Sequence, residues 1–258
     1  MKPELLAIWD RQTRAQEHFE AVEGLLLAYY NSRLGKLSGE FDPDGDFVMR
    51  SIAFGLPDFR LYTIVGELLH DLRSSLDHLA WILVVENGGD PTQDTRFPIL
   101  KVAPAANKKG INPPPHVAGG ASTDALAIID AAQPYKWGPR FAEHPLWVLH
   151  ELWNIDKHRH IVLKGTAVES FVIPAGTPRF TFTLQPESVS VDGAIFVLVP
   201  DDPTVDVDIR TTLQVFVQEP RYGVATPLRR TLEHIRFTVF HIAKDAEDHC
   251  FKTSASVD

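Results

Sequence analysis

Cysteine is nearly absent from this chain of 258 residues, because Cys250 is its single cysteine. A disulfide framework and a cysteine-ligated zinc site are therefore excluded, since both need several thiols. Long apolar runs are also missing: no stretch approaches the ~18 apolar residues of a membrane-spanning helix. The run Met1-Lys2-Pro3-Glu4 lacks the apolar core of a signal peptide, and Glu4 and Asp10 argue against a transit peptide. These absences predict a cytoplasmic protein without a membrane partner.

Positive charge is scarce as well, and the formal net charge is −9. This balance argues against a general nucleic-acid binder, for which a basic field is expected. It still permits RNA cleavage, which needs only a locally basic cleft. The sequence contains no P-loop, dinucleotide fingerprint or serine nucleophile elbow. We therefore expect no cofactor.

The densest pattern in the chain lies between Gly66 and Trp81, which reads GELLHDLRSSLDHLAW. Apolar residues recur there at spacings of three and four, which indicates a helix that buries one face. Seven leucine or valine residues form this stripe: Leu61, Val65, Leu68, Leu72, Leu76, Leu79 and Leu83. Asp58 is a plausible N-cap, and the Asn87-Gly88-Gly89 run ends the pattern. The spacing predicts a central helix that ends near Glu86.

Elsewhere the apolar period changes along the chain. It is helical in residues 1–155, apart from a small hairpin predicted near residues 37–54 around a Pro-Asp-Gly turn. Residues 160–220 alternate with period two, most clearly between Val205 and Val217, and residues 226–250 return to helical spacing. We therefore expect an α+β fold in a single domain over residues 1–258. A helical bundle core would carry an antiparallel β-sheet formed mainly by the C-terminal half, with a final long helix.

Three short strings support a resemblance to known proteins. Arg73 and His78 are separated by four residues, and the string from Leu69 to Leu79 reads LHDLRSSLDHL. The short string Phe97-Pro98-Ile99 and the run Asp156-Lys157-His158-Arg159 follow. The R-x4-H spacing resembles the motif of the HEPN superfamily of α-helical proteins, many of which are metal-independent ribonucleases. The wider pattern is similar to that of a widespread group of uncharacterised bacterial proteins.

The resemblance implies a metal-independent ribonuclease or an RNA- or nucleotide-binding protein that forms a homodimer through the central helix, with RNA as a partner. In such a site the catalytic residues would be Arg73 and His78. A neutral histidine serves as general base, and an arginine stabilises the negative charge of the phosphorane. The residues expected to support this pair are Ser74, Asp77, Asp71, Lys157, His158 and Arg159.

Two alternatives remain open from the residues alone. Metal sites are conceivable at Glu67, Asp71 and His78, or at His241, Asp245 and His249, but neither set has an established ligand spacing. A non-catalytic binding or scaffold module is the stronger rival, because Asp77 lies one helical turn after Arg73 and the two would form an ion pair. Opposite charges also lead us to expect residues 156–159 beside the polar side of the central helix.

Overall fold

The computed structural model describes the chain from residue 3 to residue 251 with several gaps. The described residues are 3–31, 37–41, 47–51, 58–105, 117, 120–159, 161–169, 180–184, 195–200, 211–217 and 226–251. Contacts divide the chain into two compact units. The first, here the helical unit, comprises Met1–Val22, Arg60–Ile161 and Arg229–Asp258, and the second comprises Glu23–Phe59 and Val162–Leu228. The single domain predicted from the sequence stays a prediction.

The described residues form five α-helices and one 3₁₀ helix. Their bounds are α1 Pro3–Asn31, α2 Phe59–Glu86, α3 Thr123–Ala131, the 3₁₀ helix Pro134–Glu143, α4 Pro145–Asp156 and α5 Leu228–Cys250. Local signals explain several ends: Ser122 caps α3 by accepting a hydrogen bond from the Ala125 amide, and Pro145 occupies the first turn of α4. Among the described residues, no helix is long and apolar enough to cross a membrane.

The central helix α2 supplies the largest share of the core of the helical unit. All seven residues of the predicted stripe are at most 2% exposed, so the predicted buried face is confirmed. Other helices contribute buried side chains such as Ile8 and Ala15 of α1, Leu149 of α4 and Val239 of α5. Full burial of an aliphatic side chain contributes about 1.5–3 kcal/mol. Burial of the stripe therefore fixes the rotation of α2 about its axis, and with it the directions of its polar residues.

The second unit contains the described strands, which pair antiparallel. They are β1 Leu37–Phe41, β2 Phe47–Ser51, β3 Leu163–Glu169, β4 Phe180–Leu184, β5 Ile195–Pro200, β6 Thr211–Val217 and β7 Thr226–Pro227. One group has the order β1-β2-β5-β4 and the other has the order β3-β6-β7. In the first group Phe47 of β2 is opposite Leu198 of β5. Residues 205–210 of the alternating run lie outside the described residues.

The α+β fold class predicted from the sequence is wrong. Of the residues whose side chains are described, 74% are helical and only one short strand is included. The helical unit contains no strand among its described residues, so no sheet belongs to the core formed by α2. Period two shows only that a segment is extended; it does not show which core the segment joins. Several helices of this unit bury apolar side chains.

Candidate functional site

Helix α2 positions polar side chains in three directions around its buried stripe. Arg73 and Asp77 lie one turn apart and contact the segment around Phe97. Ser74 and His78 contact Arg11 of α1. Gly66, His70 and Asp71 line a cleft with the end of α4. The three sets of contacts have different chemistry.

Arg73 is buried, with 4% of its surface exposed, and it joins two of the sequence strings. Its Nη2 donates hydrogen bonds to Asp77 Oδ1 at 2.7 Å and to the Phe97 carbonyl oxygen at 2.8 Å. The Phe97 amide donates to the same Asp77 oxygen at 2.9 Å. Both backbone groups of Phe97 are thus held by one ion pair of α2. The intrahelical Arg73–Asp77 pair expected under the scaffold hypothesis is present.

The surroundings of Arg73 are cationic and aromatic. Its Cζ lies 5.5 Å from the centroid of the Trp153 ring, and Lys157 Nζ lies 2.9 Å from the same centroid. Burial is the main cause that lowers the pKa of Arg73, which Asp77 opposes. Burial and the nearby Arg73 charge likewise lower the pKa of Lys157. Nε and Nη1 of Arg73 are buried and have no hydrogen-bond partner among the described residues. The guanidinium is therefore closed in by the fold.

His78 has a different partner. Arg11 Nη2 lies 3.2 Å from His78 Nε2, and Arg11 Nε donates to Ser74 Oγ at 3.1 Å. Burial, followed by the Arg11 charge, lowers the pKa of His78, so the neutral imidazole is favoured. Arg73 and His78 therefore make separate sets of contacts. Sequence reasoning missed Arg11, because no local spacing shows which residue of α1 faces α2.

A polar cleft of about 610 Å³ lies where α1, α2 and the end of α4 meet. Its walls include Arg14 of α1 and the four residues Asp156, Lys157, His158 and Arg159. A Cβ atom at Gly66 of α2 would lie 2.6 Å from Asp156 Oδ2, so glycine allows the close approach of α4 at this point. This confirms the expected proximity of residues 156–159 to the polar side of the central helix.

Asp71 is a buried carboxylate that lines this cleft. The residue is 5% exposed, and no hydrogen bond reaches its Oδ2 from the described residues. His18 Nε2 lies 3.3 Å from that oxygen and Arg14 Nε lies 3.7 Å from it. The other ring nitrogen of His18 lies 3.8 Å from Glu67 Oε2. The cleft therefore contains carboxylates beside Arg14 and His18 of α1, and Asp71 retains hydrogen-bonding capacity.

Gln133 is a second residue that sequence reasoning missed. It is fully buried between α3 and the 3₁₀ helix, and its Nε2 donates to the carbonyl oxygens of Pro98 and Ile129 at 2.9 Å each. Its Oε1 accepts from the Leu100 amide at 3.0 Å. Gln133 and Arg73 thus hold the segment from Phe97 to Leu100 from two sides. In the sequence, Gln133 directly before Pro134 indicated only the end of a helix.

Neither metal-site alternative is assembled in the structure. Within the described part of the chain, no three histidine, cysteine, aspartate or glutamate side chains are grouped so that they could hold a metal ion. His78 contacts Arg11, whereas Asp71 contacts His18. His249 Nδ1 lies 2.8 Å from the backbone oxygen of Asp245 and is engaged there.

Comparisons with protein-family models, with curated proteins and with solved structures found no match to this chain. The likeness to HEPN proteins therefore rests on the sequence strings alone.

Proposed function

We propose that this protein is a non-catalytic binding module in which Arg73 and Asp77 are structural and the polar cleft holds a small polar ligand. One observation carries the proposal: the guanidinium of Arg73 is buried and is bonded to Asp77 and to the Phe97 carbonyl oxygen. An arginine that stabilises a phosphorane must reach a phosphate oxygen. Here Nη2 is bonded within the fold, and Nε and Nη1 are buried, so the guanidinium is not presented to a phosphate.

The size and composition of the cleft support its role as the ligand site. Ligand pockets measure roughly 300–1,000 Å³ and place a few convergent polar groups around the ligand. The cleft, at about 610 Å³, lies within that range. Asp71 and His70 of the central string meet Lys157, His158 and Arg159 of the last string there. Two of the three strings that support the resemblance therefore line one shared surface.

A metal-independent ribonuclease is the second candidate, and one observation favours it. His78 is half-buried with a lowered pKa, and the positive charge of Arg11 lies beside it. A neutral histidine is suited to remove a proton from a ribose 2′-hydroxyl. In this candidate RNA is the partner, and a homodimer through α2 would complete the site, as in HEPN ribonucleases.

Two assays on the same variants separate the candidates. Purified protein would be incubated with single-stranded RNA in EDTA, and its thermal unfolding would be recorded by circular dichroism. We expect no cleavage, and we expect Arg73→Ala to lower the melting temperature. The ribonuclease would instead cleave the RNA, with His78→Ala reducing the rate by roughly 10²–10⁴-fold. Arg140→Ala is the matched control, because that arginine is exposed on the 3₁₀ helix.

Binding in the cleft would be tested directly with a mixture of small polar metabolites, using ligand-observed NMR. Thr63 is exposed and lines the cleft, so Thr63→Trp should fill the cleft and abolish binding. Val102→Trp places the same side chain at an exposed position outside the cleft and should leave binding unchanged. Equal binding by both variants, or no binding by the unmodified protein, contradicts the proposal.

A further inference from the structure

The cleft carries balanced charges, although the chain as a whole is acidic. Three cationic residues line it, Arg14, Lys157 and Arg159, and so do three carboxylates, Glu67, Asp71 and Asp156. The formal sum over these six residues is zero, whereas the whole chain carries −9. Such a lining does not favour a polyanion, because its carboxylates repel phosphate groups.

From this arrangement we infer that the cleft takes a zwitterionic ligand with a free ammonium group and a free carboxylate, namely a short peptide. The inference rests on the proposed binding function. It adds the class of the ligand, its orientation and the residues that recognise each end.

The ammonium end belongs at Asp71. Its Oδ2 lies at the edge of the cleft within ion-pair distance of His18 and Arg14, and it accepts no hydrogen bond from the described residues. The carboxylate therefore retains hydrogen-bonding capacity, and an ammonium group supplies three donors. Glu67 lies one helical turn earlier on α2, with its side chain 54% exposed, and adds negative charge at the mouth of the cleft.

The carboxylate end belongs at the turn that follows α4. Lys157 and Arg159 are exposed there and both line the cleft, and because Lys157 Nζ lies over the Trp153 ring, Arg159 is the main partner of the carboxylate. Hydrogen bonds between cationic side chains and carboxylates are about twice as strong as neutral ones. Because Asp156 is packed against Gly66 of α2, this turn is held close to the central helix. Both ends of one small molecule would therefore meet opposite charges within a single cleft.

The volume indicates a short peptide rather than a single amino acid. About 610 Å³ is within the range of pockets that enclose drug-sized ligands. Gly66, Glu67, His70 and Asp71 cover about one and a half turns of α2, or roughly 8 Å along its axis. A peptide of two to four residues in a compact conformation spans that distance.

The test compares trialanine with its blocked form, N-acetyl-trialanine amide, by isothermal titration calorimetry on the full chain. We expect saturable binding of trialanine. The blocked peptide should bind at least about ten-fold more weakly, because each of its two ends loses a charge-assisted hydrogen bond. Asp71→Asn and Arg159→Gln should each weaken trialanine binding while leaving the blocked peptide unaffected. Asp94→Asn removes an exposed carboxylate outside the cleft and serves as the control.

Several outcomes overturn the inference, and they differ from those that overturn the binding function. Equal affinity for trialanine and its blocked form refutes recognition of the ends. A second outcome is that adenosine monophosphate or another metabolite binds, that Thr63→Trp abolishes this binding, and that trialanine does not bind. This outcome refutes the ligand class alone. Absence of binding by every compound refutes the binding function as well. Should Asp71→Asn fail to fold, Arg159→Gln and the blocked peptide on the unmodified protein still decide the question.

Discussion

Replacement of Arg73 by methionine should destabilise the helical unit strongly. Methionine retains most of the apolar stem of the arginine but removes the guanidinium. Two hydrogen bonds of Nη2 are then lost, one to Asp77 Oδ1 and one to the Phe97 carbonyl oxygen. Asp77 keeps the hydrogen bond from the Phe97 amide, but its charge loses the partner that lies 2.7 Å away.

The size of the effect follows from the burial of the pair. Removing one member of a buried ion pair typically costs 3–5 kcal/mol, because the remaining charge is left without compensation. For a unit of this size, 1 kcal/mol shifts the melting temperature by about 2–4 °C. The expected decrease for Arg73→Met is therefore roughly 6–20 °C. The lower end of the range applies because Asp77 is partly exposed, with 29% of its side chain accessible.

The assay is thermal unfolding, with urea unfolding for the free energy, both followed by circular dichroism at the helical band, and Arg140→Met is the matched control. Arg140 also forms an ion pair, with Glu143 at 2.7 Å, but its side chain is 71% exposed. Such exposed pairs contribute little, so this control should unfold like the unmodified protein. A double-mutant cycle with Asp77→Asn should give a coupling of about 0.5–3 kcal/mol. A change below about 0.5 kcal/mol for Arg73→Met would refute the structural role.

Three further predictions concern residues around the same core. Burial lowers the pKa of His144 to about 4, so in this pH range the unfolded chain binds a proton that the folded chain excludes. The free energy of unfolding should therefore fall by roughly 2–3 kcal/mol as the pH drops from 6.5 to 4. His144→Asn, which keeps an acceptor for the Leu146 amide, should lose that share of the pH dependence in urea titrations at each pH. Gly66→Ala should stabilise α2 by up to about 1 kcal/mol when Asp156 is also replaced by alanine. With Asp156 present the gain should be smaller or absent, because the new Cβ meets the Asp156 carboxylate, and equal effects in both backgrounds would contradict that contact. Gln133→Ala leaves buried groups of Pro98 and Leu100 without partners and should cost about 3 kcal/mol in thermal melts, whereas a neutral result would show that water replaces the amide.

The sequence was informative wherever the signal was local. The buried stripe of α2 follows from apolar spacing, because a helix presents every third or fourth residue to one side. The Arg73–Asp77 pair follows from the same geometry. Opposite charges, in two strings that both carry the family resemblance, predicted that residues 156–159 lie near α2.

The contacts that define the site are not local, and this is why sequence reasoning missed them. Arg11 reaches His78 across 67 residues, and Gln133 reaches the Leu100 amide across 33 residues. Nothing in the spacing of either residue marks its partner, because packing between helices decides which side chains meet. The same limit explains the error in fold class: alternation detects extended segments but does not assign them to a core.

The geometry of an α-helix also explains why an R-x4-H string has two separate environments here. Five positions along a helix correspond to a rotation of about 140°, so Arg73 and His78 lie on different sides of the buried stripe. Arg73 faces Trp153 and Phe97, whereas His78 faces Arg11 of α1. For one phosphate to contact both side chains of the same chain, it would have to reach around α2. The string is therefore better suited to fasten two neighbouring segments to α2 than to form a catalytic pair within one chain.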